Sequence, residues 1–191
     1  MTLVFATANP GKVREMQRLL GDRVRLEPLP HGFVMPEETG GDYAENALLK
    51  ARAVRSATLR AALADDSGLE VDALGGAPGP RSARYAETDD RRIARLLEEI
   101  EGVPAERRSA RFRCVLAVVL ADGREWLAEG TSEGRIADSP AGSGGFGYDP
   151  VFYVPEAGRT FAEMSEEEKD AISHRGRAAR ELAGLLEEIA A

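Results

Sequence analysis

Leu3-Val-Phe-Ala-Thr-Ala-Asn-Pro-Gly-Lys-Val-Arg-Glu-Met-Gln-Arg-Leu-Leu20 is the stretch whose reading decides the class of fold. Leu3 to Ala6 is a short apolar run of the kind that forms a buried strand, and beyond the polar turn Val13, Met16, Leu19 and Leu20 recur at helical spacing. Asn9 has the right chemistry to cap that helix, and Pro10 falls at its first position, where a missing N–H costs nothing. A strand therefore ends against a helix N-terminus, whose amides and positive dipole end suit an anion. Lys12 lies in that first turn.

Working outward, a second helix is expected from Asp42, which forms a capping-box-like pair with Glu45, to about Leu59, with Ala44, Ala47, Leu48, Ala51 and Val54 on one face. Ala62-Leu-Ala64 reads as a short buried strand running into Asp65-Asp66-Ser67-Gly68, so that two carboxylates emerge at its C-terminal edge. Side chains alternate across a strand, so only one of the two is expected at any given site. Gly75 to Pro80 is a loop, and Thr88 caps a third helix carrying Ile93, Leu96, Leu97 and Ile100. Ser109–Ala121 and Glu125–Ile136 form a hairpin about Asp122-Gly123, with Phe112, Cys114, Leu116, Val118 and Leu120 on one face. Pro150–Val154 is another short strand, Ser165 and Glu168 make a second capping box, and Leu182, Leu185, Leu186 and Ile189 define a C-terminal helix. Hairpins beside strand-helix units imply an α/β chain with a mixed sheet.

The 191 residues fit one domain, or one domain with a small lobe. A net charge of −8, from 33 acids against 25 bases, argues against a large footprint on polymeric nucleic acid, which needs clustered Lys and Arg. Cys114 is the single cysteine and sits in an apolar run, so it reads as a buried packing residue. No apolar run approaches the roughly 20 residues of a membrane span and no basic-then-apolar leader opens the chain, so a cytoplasmic protein without membrane contact is expected.

Of the 25 basic side chains only three, Lys12, Lys50 and Lys169, are lysine, and each lies in a distinctive polar segment. Lysine differs from arginine as a compact point charge for phosphate, although chance also places three residues. Thr7 to Lys12 lacks the spacing of a Walker A loop and reads either as an anion site or as a helix cap with a solvated lysine. Two acids ending a buried strand are costly unless solvated, paired or cation-bound, so Asp65-Asp66 is either an Asx-type turn or a ligand set. Oxygen ligands without a His or Cys cluster favour Mg²⁺ over zinc, and the Glu37-Glu38-Thr39-Gly40 turn gains interest only with a partner carboxylate. Gly142-Ser-Gly-Gly-Phe-Gly-Tyr-Asp149 lets backbone approach a flat ligand while Phe146 offers a stacking face, or else is a flexible loop with a core phenylalanine. His174 begins the last helix as a cap, a surface residue or a ligand contact. No nucleophile elbow or catalytic cysteine context is evident, which disfavours covalent catalysis.

In combination, Thr7-Ala-Asn-Pro-Gly-Lys12, Glu37-Glu-Thr-Gly40, Glu45-Asn-Ala-Leu-Leu-Lys-Ala-Arg52, Ala64-Asp-Asp-Ser-Gly-Leu69, Gly75-Gly-Ala-Pro-Gly79, Ser82-Ala-Arg-Tyr85, Gly144-Gly-Phe-Gly-Tyr-Asp-Pro150 and Ser173-His-Arg175 resemble the inosine triphosphate pyrophosphatase (Ham1/RdgB-like) family, in order from Phe5 to about Arg177. The resemblance implies an elongated mixed β-sheet flanked by helices, the Maf/Ham1 fold, as a single domain over residues 1–191 with room for two lobes and an active-site cleft between them. It further implies an Mg²⁺-dependent homodimer that hydrolyses ITP, dITP and XTP to monophosphate and pyrophosphate, clearing deaminated purines from the nucleotide pool. Matched by position, Glu37 and Asp66 would ligate the metal, and Asp66 would accept the proton of the attacking water. Thr7, Ala8, Asn9, Pro10, Gly11, Lys12, Ser67 and Lys169 would hold the phosphates and sugar; Phe146, Gly147, Tyr148, Asp149, His174 and Arg175 would surround the base. Ala8 and Pro10 stand where relatives vary.

Such a cleavage needs in-line water, a cation on the developing charge and positive groups on the departing pyrophosphate. Base choice would come from polar groups left unpaired by the wrong purine edge. Two alternatives stand beside it: a Maf-type pyrophosphatase acting on other modified nucleotides, and a nucleotide sensor without turnover, against which the acidic pair argues.

Overall fold

The computed structural model describes residues 1–190, with side chains described through Glu188. Ile189, counted above on the last helix's apolar face, has its side chain outside the described residues. Seven strands form one mixed sheet in the order β2-β1-β3-β4-β5-β6-β7. These are β1 (Thr2–Phe5), β2 (Arg25–Glu27), β3 (Ala62–Val71), β4 (Ser109–Val119), β5 (Glu125–Ile136), β6 (Phe152–Val154) and β7 (Arg159–Thr160). The helices are α1 (Pro10–Leu20), α2 (Tyr43–Thr58), α3 (Asp89–Glu99), α4 (Glu166–Ile172) and α5 (His174–Ala190). Among the described residues no helix is long and apolar enough to cross a membrane.

The chain divides into two compact units. Unit 1 comprises Met1–Asp66, Cys114–Gly130 and Arg175–Ala191, and unit 2 comprises Ser67–Arg113 and Thr131–His174, so β3, β4 and β5 each give a stretch to both.

In unit 1, β1 pairs in parallel with β2 on one side, Leu3 opposite Leu26, and with β3 on the other, Phe5 opposite Leu63. The chain thus leaves β1 through α1 to one neighbour and reaches the other through α2. That reversal is a topological switch point, the place where open α/β sheets bind ligands beyond their strand ends. Both faces are covered. Leu3, Phe5, Leu63, Cys114, Leu116 and Val118 pack with Met16 and Leu20 of α1 and Leu182 and Leu186 of α5. On the other face Val4, Ala6, Ala62, Ala64, Val115 and Ala117 pack with Ala47, Ala51 and Val54 of α2. Unit 2 has its own core, in which Ile93 and Leu96 of α3 and Ile100 just after it meet Leu69, Phe112, Phe152 and Phe161.

The caps follow the sequence. Asn9 Oδ1 accepts from the amides of Gly11 (2.8 Å) and Lys12 (3.3 Å). Asp42 Oδ1 accepts from Glu45 N (2.8 Å), but the return arm from Glu45 goes one residue earlier, to Gly41 N (2.7 Å). Leu59 ends α2 in the left-handed conformation with φ of 56°. Ser165 and Glu168 form a reciprocal capping box on α4. Gly123, with φ of +92°, closes the β4–β5 hairpin, where Leu120 N donates to Arg124 O (2.9 Å).

Two expectations are corrected. Asp65 and Asp66 do not end a strand at its C-terminal edge: β3 continues to Val71. Buried cationic partners let the acids stay within it, where local turn chemistry alone argued for a break. On α1, Val13 is 38% exposed and Glu15 takes the buried position instead. Along their shared face of β4, Phe112 packs in the aromatic core of unit 2 and Cys114 to Leu120 in the core of unit 1.

Candidate functional site

In unit 1 the polar side chains converge where β1 gives out. Ala6 N still donates to Leu63 O (2.7 Å), after which the chain turns away into α1 and leaves the next residues of β3, Asp65 and Asp66, beside the turn. Thr7 Oγ1 accepts from Asn9 N (3.1 Å), which tightens that turn and places Asn9 for its capping bonds. Ala8, Asn9 and Pro10 are exposed, while Thr7, Gly11 and Lys12 are half-buried.

Asp65 and Asp66 point to opposite faces, as a strand requires. Asp66 faces α2: its Oδ1 accepts from Lys50 Nζ (2.6 Å) and its Oδ2 from Asn46 Nδ2 (3.4 Å). Lys50 Nζ also donates to Glu38 Oε1 (2.8 Å) and to the main-chain oxygen of Asp65 (2.7 Å). Asn46 Oδ1 accepts from Gly40 N (2.9 Å). Asn46 and Lys50 lie one helical turn apart on the same face of α2, so that face fastens the Glu37–Gly40 turn beside Asp66. Burial pushes the Asp66 carboxyl up to about 6 against the pull of Lys50, and Glu38 adds to the rise. Burial would depress Lys50, but Asp66 and Glu38 outweigh it and hold the ammonium more firmly protonated than usual.

Asp65 faces α1 and α5. It accepts from Lys12 Nζ, from Arg175 Nε (3.0 Å) and from Cys114 Sγ (3.2 Å). Arg175 Nη1 donates to Glu15 Oε2 (2.6 Å). Burial opposes ionisation of Asp65, yet Arg175 and Lys12 hold it well below the usual carboxylate range. Cys114 is buried as expected, but its thiol is also a donor into this network, and burial with Asp65 pushes it up.

In unit 2 the glycine-rich loop is organised by Asp149. Its Oδ2 accepts from Phe146 N (2.9 Å) and from Lys169 Nζ (2.7 Å), and the ammonium lies 5.1 Å from the centre of the Phe146 ring. A Cβ at Gly145, where φ is +71°, would run into the Asp149 carboxylate. Gly147 N donates to Asp89 Oδ2 (2.8 Å), and the buried Tyr148 donates its hydroxyl proton to Ser82 O (3.0 Å). His174 stacks on Phe112 at 4.6 Å and 10°. Ser67, half-buried, is the first residue of this unit on β3.

In unit 1 the structure thus gathers Lys12 and Arg175 on Asp65 at one face of β3, and Asn46, Lys50 and the Glu37–Gly40 segment about Asp66 at the other. Phe146, Gly147, Tyr148, Asp149 and Lys169 come together in unit 2, so Lys169 accompanies the aromatic loop rather than the phosphate turn. His174 is placed in the core of unit 2. Glu37 is exposed; its neighbour Glu38 makes the contact to Lys50. Among the described residues no group of three or more His, Cys, Asp or Glu side chains is placed to hold a metal ion. Sequence reasoning missed Glu15 and Asn46, and singled out Lys50 and Asp65 without assigning either a place in the site. The signal was available: each is a polar residue at a buried position of an otherwise apolar helix face or strand.

The model of the Ham1 family matches residues 3–185. The chain is 51% identical to the dITP/XTP pyrophosphatase of Geobacillus kaustophilus over 193 residues, covering 98% of this chain and 95% of that protein. It is 53% identical to a dITP/XTP pyrophosphatase of Thermus thermophilus over 186 residues, covering 95% and 90%. Among solved structures, the HAM1 protein from Coxiella burnetii superposes with a TM-score of 0.87 at 44% identity, over 98% of this chain and 99% of that one. The Staphylococcus aureus Ham1 protein gives 0.88 at 38% identity, over 99% and 100%.

Proposed function

The chain belongs to the Ham1 family, and from that membership we propose that it hydrolyses non-canonical purine nucleoside triphosphates, ITP, dITP and XTP, to the monophosphate and pyrophosphate. It would do so as a cytoplasmic, Mg²⁺-dependent homodimer acting on free nucleotides rather than on polymeric nucleic acid. The observation that carries the proposal is the environment of Asp66: a buried carboxylate raised toward neutrality, facing an ammonium and an amide beside the β1–α1 turn. A base poised near the working pH is suited to taking a proton from water.

The residues divide the work by chemistry. The α1 N-terminus and Lys12 favour the triphosphate's negative charge. Asp66 accepts the proton of the water that attacks the α-phosphorus, and Lys50 stabilises the carboxylate in its charged form while Asn46 fixes its orientation. The oxygens around Lys50 Nζ, from Asp66, Glu38 and the Asp65 main chain, are all hard donors, and Glu37 stands next to Glu38. This set fits Mg²⁺, which is commonly held by one or two carboxylates with substrate phosphates completing its shell. Glu37 and Asp66 are the proposed ligands, and the cation would supply charge neutralisation on the phosphates. Thr7 to Gly11, Ser67 and Lys169 are assigned to the phosphates and sugar. Phe146 to Asp149, His174 and Arg175 are assigned to the base, with the Phe146 ring as stacking surface.

Initial rates with ITP, XTP, dITP, GTP and ATP test the assignment. The 6-oxo, non-canonical purines should lead by a wide margin. A preference for modified pyrimidines would indicate Maf-type chemistry, and tight ITP binding without product would indicate a sensor.

A further inference from the structure

The activity proposed above makes no use of the Asp65 side chain, which is fully buried and lies on the opposite face of β3 from Asp66. It receives three donors from three different elements: Lys12 Nζ from the first turn of α1, Cys114 Sγ from β4 and Arg175 Nε from the first turn of α5. Arg175 is held a second time by Glu15 Oε2, itself on the α1 turn that follows Lys12. A carboxylate so loaded with donors is a fixed negative charge. Its side-chain oxygens accept from Lys12, Cys114 and Arg175, while its main-chain oxygen accepts from Lys50 on the other face.

Two of those donors are the residues assigned to opposite ends of the substrate, Lys12 to the phosphate tail and Arg175 to the base. A lysine ammonium rides on a flexible stem, so tying it down removes orientational freedom before the ligand arrives. Two carboxylates on separate nitrogens of one guanidinium fix the plane of that group, on which bidentate and edge-on recognition depend. We infer that Asp65 is a positioning residue that holds Lys12 and Arg175 in a common register, so that grip on the tail and choice of base depend on one carboxylate. This rests on the activity proposed above.

The test compares kcat/KM for ITP and for ATP in the wild type, in Asp65→Asn, in Lys12→Met and in the double variant, with circular dichroism as the check on folding. Asp65→Asn should lower the ITP-to-ATP ratio by about tenfold or more, because a loosened guanidinium reads the base edge less well. Its effect on ITP should be markedly non-additive with that of Lys12→Met, as for groups acting through one contact. Equal losses on both substrates together with an additive cycle would reduce Asp65 to a structural residue and overturn the inference. So would loss of turnover matching Asp66→Asn with the ratio unchanged. Should Asp65→Asn fail to fold, Lys12→Met alone decides. Lys12 is assigned to a tail that ITP and ATP share, so a changed ratio supports the link through Asp65 and an unchanged ratio refutes it. Wild-type protein inert toward ITP would sink the parent activity, which no variant result can mimic.

Discussion

Asp65 and Asp66 differ by one position in sequence and by a whole face of the sheet in space, which gives them different chemistry. Asp66 looks to Lys50 and Asn46 and is raised to about 6, whereas Asp65 looks to Lys12 and Arg175 and stays ionised well below the usual range. Asp66→Asn should therefore lower kcat by about 10²–10⁴-fold, the usual worth of a general base, while leaving the far-ultraviolet circular dichroism of the wild type. A kcat within a few-fold of the wild type would remove Asp66 from the chemistry. Gly68, two residues on, carries a different constraint, since a Cβ there would run into the Gly79 carbonyl and Ser82 Oγ. Gly68→Ala should cost about 1–3 kcal/mol in urea unfolding through overpacking, and an unchanged midpoint would show that the 79–82 segment gives way. The alternation of the acids was legible from strand geometry. Their partners were not, because Lys50 and Arg175 lie 16 and 110 residues away and nothing local specifies such pairings.

Local chemistry wrote the elements more clearly. Asn9, Asp42, Thr88 and Ser165 all cap the helices that their spacing indicated, and Asp122-Gly123 closes the hairpin. The length of β3 was not legible, because Asp-Asp-Ser-Gly carries turn chemistry that only buried ion pairing overrides. The short strands β2 and β7, three and two residues long, carry too little pattern to announce themselves. At this scale Asn9→Ala is informative, since Asn9 both starts α1 and shapes the turn before Lys12. It should cost about 0.5–2 kcal/mol in thermal or urea unfolding, as a lost N-cap does, and raise the KM for ITP. A loss of stability with KM unchanged would detach the turn from the phosphates. Phe146→Ala belongs here too, because Asp149 and Lys169 hold the loop around that ring. KM should rise with kcat changed less, and an unchanged KM would move the base elsewhere.

Across the whole molecule, each unit carries an apolar core of its own, and the cations of the candidate site are paired with acids. The net charge of −8 does not decide whether a polyanion is favoured locally, because field at a site depends on nearby groups, here including the α1 N-terminus, more than on the total. Lys50 neutralises Asp66 when no divalent cation is bound, so chelation with EDTA should abolish turnover while moving the melting temperature by less than about 2 °C. A large fall in melting temperature would make the metal structural. The mixed α/β class was readable from the order of strand-helix units and hairpins; the division into two units was not, since it cuts through β3, β4 and β5 with no linker to mark it. The most direct test of the proposed activity is the identity of its products, read by phosphorus NMR after incubation of ITP with the protein and Mg²⁺. IMP and pyrophosphate in equal amounts are the predicted result; IDP and orthophosphate would contradict it.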